Sequence, residues 1–159
     1  MSAIAREAGV ATGTAYTHYA SKDELVLAAY SETKAALGLA GTTDLRPNLP
    51  ADRRFHDLWL SCYRYLKANP EHAQFLLQVE HYPYRDLAHL SALANDDDPL
   101  LAQVALPDVA DRLRPLPIDV LYELALSPAV RLAAATMEFD DAQLDDIADA
   151  CWRAVIQPE

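Results

Sequence analysis

A chain of 159 residues is long enough for one well-buried domain, or for a small reader joined to a larger helical core. Its formal net charge of -11 excludes indiscriminate adhesion to nucleic acid, so any DNA contact needs a local face of cations and neutral donors. Composition points to an all-α fold: 29 alanines and 24 leucines stand against 8 valines, 4 isoleucines, 7 threonines and only four glycines. No apolar run is long enough to span a bilayer and no charged-then-apolar leader opens the chain, so a soluble, cytoplasmic protein is expected. Cys62 and Cys151 fall inside helical patterns, which favours small buried residues over a disulfide or a metal pair.

The first elements lie between Ala3 and Leu25. Ile4, Ala5 and Ala8 share a helical face, Gly9 stops that helix, and Thr12 is placed to cap a second helix from Gly13 to Tyr19. Ser21 with Glu24 three residues on is a capping box that opens a third helix. Two short helices across a glycine turn form a helix-turn-helix, whose second helix can enter a DNA major groove.

This segment, IAREAGVATGTAYTHYASKDEL, resembles the DNA-reading segment of the tetracycline-repressor (TetR) family of bacterial regulators. The matching residues are Ile4-Ala5, Ala8-Gly9-Val10, Gly13-Thr14, Tyr16, Tyr19 and Ser21-Lys22 before Leu25. The resemblance implies that Arg6, Thr12, Gly13, Thr14, Tyr16, Thr17, His18 and Lys22 touch operator DNA. Thr12, Gly13 and Thr17 would face base edges, while Thr14, Tyr16, His18 and Lys22 would hold phosphates. The plainer reading of the same residues is that Thr12 only caps its helix and Tyr16 lies on a solvated face. Family members carry one more helix ahead of this segment. With Met1-Ser2-Ala3 at the start of this sequence, the resemblance implies either a reading frame that starts upstream or a shortened protein with a partly uncovered reader. Only Arg6 and Lys22 are cationic before residue 23, which is thin for a duplex reader unless a dimer doubles it.

Onward, the helix opened by Ser21 is expected to run to about Gly38, giving a reader and linking helix over 1–38, a linker over 39–50 and a helical ligand-binding and dimerisation domain over 51–159. Ala51 to Ala68 carries Phe55, Leu58, Trp59, Cys62 and Leu66 at helical steps. Pro70 opens a helix to about His81; HYPY is a bend; Arg85 to Ala94 is a further helical piece. A turn at Asn95–Pro99 precedes a helix from Leu100 to Leu113, with a kink expected near Pro107. After the RPLP stop, Ile118 to Met137 is a helix kinked or split by Pro128, and Asp141 to Ile156 is the last helix.

The apolar stripes of the last two helices, Leu121, Ala125, Ala129 and Leu132 with Leu144, Ile147, Ala148, Cys151, Trp152 and Val155, are broader than one small core needs. In the resembled family the last two helices pair with their copies in a second subunit, which implies a C2 homodimer through these residues. Trp59, Cys62, Tyr63, Phe75, Leu76, Val79, Tyr82, Tyr84, Leu101 and Tyr122 are placed to line a pocket between core helices, where family members hold a small-molecule effector. An ordinary packed core is the plainer reading of the same stripes.

Enzymatic chemistry finds no support. None of His56, His72, His81 and His89 stands four residues from another, and Asp96-Asp97-Asp98 lacks the alternation and glycine of a calcium loop. With no glycine-rich phosphate loop or nucleophile elbow, no metal and no cofactor are expected. The function so implied is a ligand-responsive transcriptional regulator, most often a repressor, released from its operator by an effector bound in the core. The alternative is a TetR-like helical dimer that has lost its first helix and binds a small molecule or protein, but not DNA.

Overall fold

The computed structural model describes residues 19–80, 84–93, 95 and 97–158, all helices and connections, with no β-strand among them. The helix-turn-helix expected between Ala3 and Tyr19 falls, all but Tyr19, outside the described residues. The first described helix, α1 (Lys22–Thr42), begins where Ser21 Oγ accepts the Glu24 N–H at 3.1 Å. The Glu24 carboxylate in turn accepts the N–H of Ala20 at 2.8 Å, one residue earlier than a capping box requires.

α1 continues four residues past Gly38. Gly38 and Gly41 lie on its buried face, and their lack of a side chain serves close approach rather than termination. A Cβ at Gly38 would sit 2.7 Å from Pro99 Cγ, and one at Gly41 would sit 2.6 Å from Cys62 Sγ.

α2 (Ala51–Ala68) is the central element, against which α1 packs on one side. Its apolar stripe buries Leu58, Trp59, Cys62, Tyr63 and Leu66, three of them (Trp59, Cys62 and Leu66) with no exposed surface. Asn69-Pro70 ends α2 and opens α3 (Pro70–Val79), whose Ala73, Leu76 and Val79 complete this part of the core. α4 (Arg85–Leu93) lies across α1 and buries only Ala88, leaving Leu87 and Leu90 outside.

The helix expected from Leu100 to Leu113 is two: α5 (Pro99–Val104) and α6 (Pro107–Ala110). Pro107 has no N–H to continue the first and holds Leu106 in extended backbone, so the chain breaks instead of kinking. The Asp98 carboxylate caps α5, accepting the N–H groups of Leu100 at 2.8 Å and Leu101 at 3.4 Å.

Pro128 has the corresponding effect on the next run, which splits at Leu126 into α7 (Ile118–Ala125) and α8 (Ser127–Ala134). At this break the Ala125 carbonyl accepts the indole N–H of Trp59 at 3.0 Å, satisfying a polar group deep in the core. α8 and the last helix, α9 (Asp141–Val155), both pack on α2. α9 starts with a full capping box, Asp140 with Gln143. After it, Ile156 bridges Leu113, with Arg114 N–H donating to the Val155 carbonyl at 2.8 Å.

The stripe of α9 expected at a dimer seam is used inside the chain. Leu144, Ala148, Cys151, Trp152 and Val155 are buried, as are Leu121 and Ala129, while Ala125, Leu132 and Ile147 are half-buried. The outer face of α9 instead presents Asp141, Asp145, Asp146 and Asp149. No helix among the described residues is long and apolar enough to cross a membrane.

Candidate ligand-binding cavity

Between the core centred on Trp59 and a smaller cluster of Ala51, Leu121, Trp152, Val155 and Ile156 lies a cavity of about 160 Å³. Its walls are overwhelmingly apolar. α2 supplies Phe55 and Leu58, α5 Leu100, Leu101 and Val104, α7 Leu121 and Tyr122, and α9 Trp152 and Val155. Volume and character suit a small organic molecule, since polar groups are few and sit at defined points of the wall.

Those polar points come chiefly from α1, α2, α4 and α7. Tyr30 and Lys34 stand one turn apart on α1 and both face the cavity, where Tyr30 is 2% and Lys34 9% exposed. The Lys34 ammonium sits 4.6 Å over the Tyr122 ring. Burial holds Lys34 below its ordinary range, opposed by the negative charge of Asp98 and Glu80. Burial likewise raises the phenols of Tyr30 and Tyr122, so both remain protonated at neutral pH.

Of the remaining charged groups on the wall, Asp98 is held by the backbone N–H groups of α5, and the others are paired. Arg54 Nη2 holds both oxygens of Asp108 at 2.9 Å, while its Nη1 donates to the Leu49 carbonyl at 2.7 Å. His89 bridges two carboxylates, with Nε2 at 3.0 Å from Glu80 and Nδ1 at 3.4 Å from Asp119. Arg85 extends this chain from Glu80 to Glu123, which Arg131 also meets at 3.5 Å. A charged seam thus ties the end of α3 to α4, α7 and α8.

Of the residues expected to line a pocket, Leu101 and Tyr122 stand on the cavity wall. Trp59, Cys62, Tyr63, Leu76 and Val79 are buried elsewhere in the core, and Phe75 is half-buried against it. The Trp59 and Tyr63 rings stack on each other, at a centroid distance of 5.9 Å, instead of facing an open volume. Tyr84 packs beside the core under Lys22, and Tyr82 lies outside the described residues. Of the residues expected to touch DNA, only Lys22 is described. It is exposed at the start of α1, its ammonium 5.9 Å from the Tyr84 ring. Arg6, Thr12, Gly13, Thr14, Tyr16, Thr17 and His18 lie outside the described residues.

Sequence reasoning missed Tyr30, Lys34 and Arg54. A signal was present in α1: Val26, Tyr30, Lys34, Leu37 and Gly41 recur at three- and four-residue steps, so Lys34 interrupts an otherwise apolar stripe.

Comparison with known proteins supplies the lineage. The family described as tetracyclin repressor-like, C-terminal domain, matches residues 50–156, and the tetR family of bacterial regulatory proteins matches residues 1–29. An HTH-type transcriptional regulator of Haemophilus influenzae is 29% identical over 158 residues, covering 96% of this chain and 82% of its own length. A crystal structure of a TetR-family regulator from Haemophilus influenzae superposes with a TM-score of 0.72 at 24% identity, covering 96% of this chain and 82% of that one. A TetR-family structure from a Shewanella species gives 0.71 at 21% identity, with coverage of 97% and 85%. At these identities the structural likenesses establish the fold. With its helical core and its N-terminal segment both matched, the chain belongs to the TetR family of transcriptional regulators.

Proposed function

We propose that this regulator acts as a homodimer that binds operator DNA and is released when a small molecule fills the cavity. The observation that carries this reading is the position of α1. The helix that follows the helix-turn-helix segment directly also lends Tyr30 and Lys34 to the cavity wall. A ligand contacting that wall binds one tilt of α1 better than another, and by linkage it favours one spacing of the two readers in a dimer. A ligand that prefers the spacing mismatched to adjacent half-sites lowers operator affinity, which is repression relieved by an effector. Residues 1–38 would then serve as reader and linking helix, 39–50 as connection, and 51–159 as ligand-binding and dimerisation domain.

In the reader, Arg6, Thr12, Gly13, Thr14, Tyr16, Thr17, His18 and Lys22 carry the DNA contacts by their match to the family motif. Lys22 is the member of that set at the start of α1, so movement of α1 moves a phosphate contact with it. Self-association would draw on the last helices, through surface that the single chain leaves open, such as Val120 and Leu124 on α7, 41% and 39% exposed.

The test is a fluorescence-anisotropy titration with DNA from the gene's own upstream region at low and moderate salt. Specific binding that weakens steeply with salt, and weakens further in Lys22→Ala, supports the reading. Absence of specific binding at low salt overturns it in favour of a ligand- or protein-binding helical module.

A further inference from the structure

We infer that the cavity takes a small amphipathic carboxylate, its anionic head held by Lys34 with the Tyr30 and Tyr122 hydroxyls and its apolar body packed between α2, α5 and α9. This deepens the proposed effector site and rests on the cavity being a ligand site. The argument begins with what Lys34 lacks. Its ammonium is a donor of three hydrogen bonds and accepts none. It is nine-tenths buried and lines the cavity; the Tyr122 ring is its direct contact among the described residues, with Asp98 and Glu80 acting on it through charge without a hydrogen bond. A buried cation without an acceptor is costly, and the ring quadrupole compensates that only in part.

The acids nearby are otherwise engaged. Asp98 caps α5 through Oδ1, Glu80 is bound by His89 and Arg85, and Asp119 by His89. The cations nearby are engaged as well, Arg54 with Asp108 and Arg85 with Glu80 and Glu123. Lys34 is the cation on the described wall without an ion pair; the buried Asp98, committed to the N–H groups of α5, and Glu80 reach it through charge alone. Tyr30 and Tyr122 also line this space, and their hydroxyls make no hydrogen bond to another described residue. Both stay protonated, so the wall offers an ammonium and two O–H donors without a committed acceptor.

A carboxylate answers that pattern. It has two acceptor oxygens and no proton to donate, and its charge neutralises the ammonium. A primary alcohol accepts at most two hydrogen bonds on one oxygen and leaves the charge; an alkylammonium adds a second buried cation. Size follows from volume. A cavity of about 160 Å³ matches a dry engineered cavity of about 150 Å³ that holds benzene, so the whole ligand is on the order of six to nine heavy atoms. Benzoate and hexanoate have this size and charge.

Titration of the full chain with benzoate, benzyl alcohol and benzylamine, and with hexanoate, hexanol and hexylamine, reads the assignment. Binding is followed by calorimetry and by tryptophan fluorescence, to which Trp152 in the cavity wall contributes beside Trp59. The carboxylate is expected to bind at least ten-fold tighter than the alcohol of the same body, and the amine weakest. Lys34→Met is expected to erase the carboxylate preference while keeping alcohol binding, and Tyr30→Phe to reduce the preference without abolishing it. Equal binding of carboxylate and alcohol, tighter binding of the amine, or an undiminished preference in Lys34→Met overturns the inference while leaving a ligand cavity. Failure of all six compounds overturns the ligand site itself and the inference with it. Carboxylate preference without any effect on DNA affinity upholds the inference and defeats the proposed regulation.

Discussion

Replacing Gly41 by alanine separates two opposed forces whose sizes are known. In an exposed helix interior, glycine to alanine stabilises by about 1 kcal/mol through backbone entropy. At Gly41 the added methyl would lie 2.6 Å from Cys62 Sγ, which is 0.8 Å inside the 3.4 Å at which ordinary van der Waals contact begins. It would also touch Leu100 Cδ2 at 3.5 Å and Leu58 Cγ at 3.6 Å, so no side of the site is open for escape. Cys62 is fully buried near the middle of α2 and has no flexible end to swing away. The remaining response is for α1 and α2 to part, loosening the core around Leu37. Overpacking of this kind costs about 1–3 kcal/mol, and with the steric conflict near the upper end the net loss is about 1–2 kcal/mol. Cys62→Ala alone removes the sulfur, leaves a void of about one methyl group, and costs about 1 kcal/mol. In the double variant the new methyl occupies the place of the sulfur. The two changes should then couple favourably by about 2 kcal/mol, within the range found for residues in contact. Urea unfolding followed by tryptophan fluorescence measures all four proteins, at one protein concentration so that self-association does not enter the difference. Gly41→Ala more stable than the parent, or a double variant equal to the sum of the singles, would refute the steric reasoning.

Two further predictions concern buried polar groups, some on the cavity wall and one, Cys62, in the core beside it. Asp108→Ala should destabilise by about 1–2 kcal/mol, because it leaves the Arg54 guanidinium buried on its Leu49 contact alone, while the half-exposed Asp108 loses little of its own solvation. Arg54→Met removes the buried charge together with its need, so thermal unfolding should show a smaller loss than in Asp108→Ala. In alkali, burial pushes the Cys62 thiol up to about 12 and raises Tyr30 and Tyr122 as well. The folded chain therefore holds these protons where the unfolded chain has released them. Stability is fully present below about pH 8 and falls as pH rises from about 9 to 12, by up to about 1.4 kcal/mol per pH unit for each group. Urea midpoints measured across that window should fall less steeply in Cys62→Ala than in the parent; an identical slope would remove Cys62 from the account.

Much of the fold was legible because this chain punctuates its helices with local chemistry. Ser21, Pro70, Pro107, Pro128 and Asp140 act on the few residues beside them, and the element boundaries at 21–22, 69–70 and 140–141 follow directly. The sequence places the end of α1 near Gly38, and Gly41 in the linker, because a glycine that stops a helix and one that lets a neighbour approach look the same in one dimension. Only Pro99 and Cys62, brought close by the fold, distinguish them. The same limit applies to the cavity. Trp59, Tyr63, Leu76 and Val79 carry the chemistry of a pocket wall, but aromatic and aliphatic stripes fill a core equally well. Whether they face a void depends on how α2, α3 and α8 meet.

Lys34 points the other way. A lysine on a helix is ordinarily a solvated residue, since its charge is expensive to bury and its long stem can carry it to water. On α1 its place is fixed by the four-residue steps from Val26 and Tyr30, so the stripe takes it inward together with them. A sequence that keeps a cation on an apolar stripe accepts a cost that leucine or methionine at that position would avoid. Packing alone gives no reason for that cost, whereas recognition of an acceptor does. For that reason Lys34→Met is expected to stabilise the unliganded protein, by about 1–2 kcal/mol, while weakening its hold on carboxylates; a destabilised Lys34→Met would mean that the ammonium serves the fold itself.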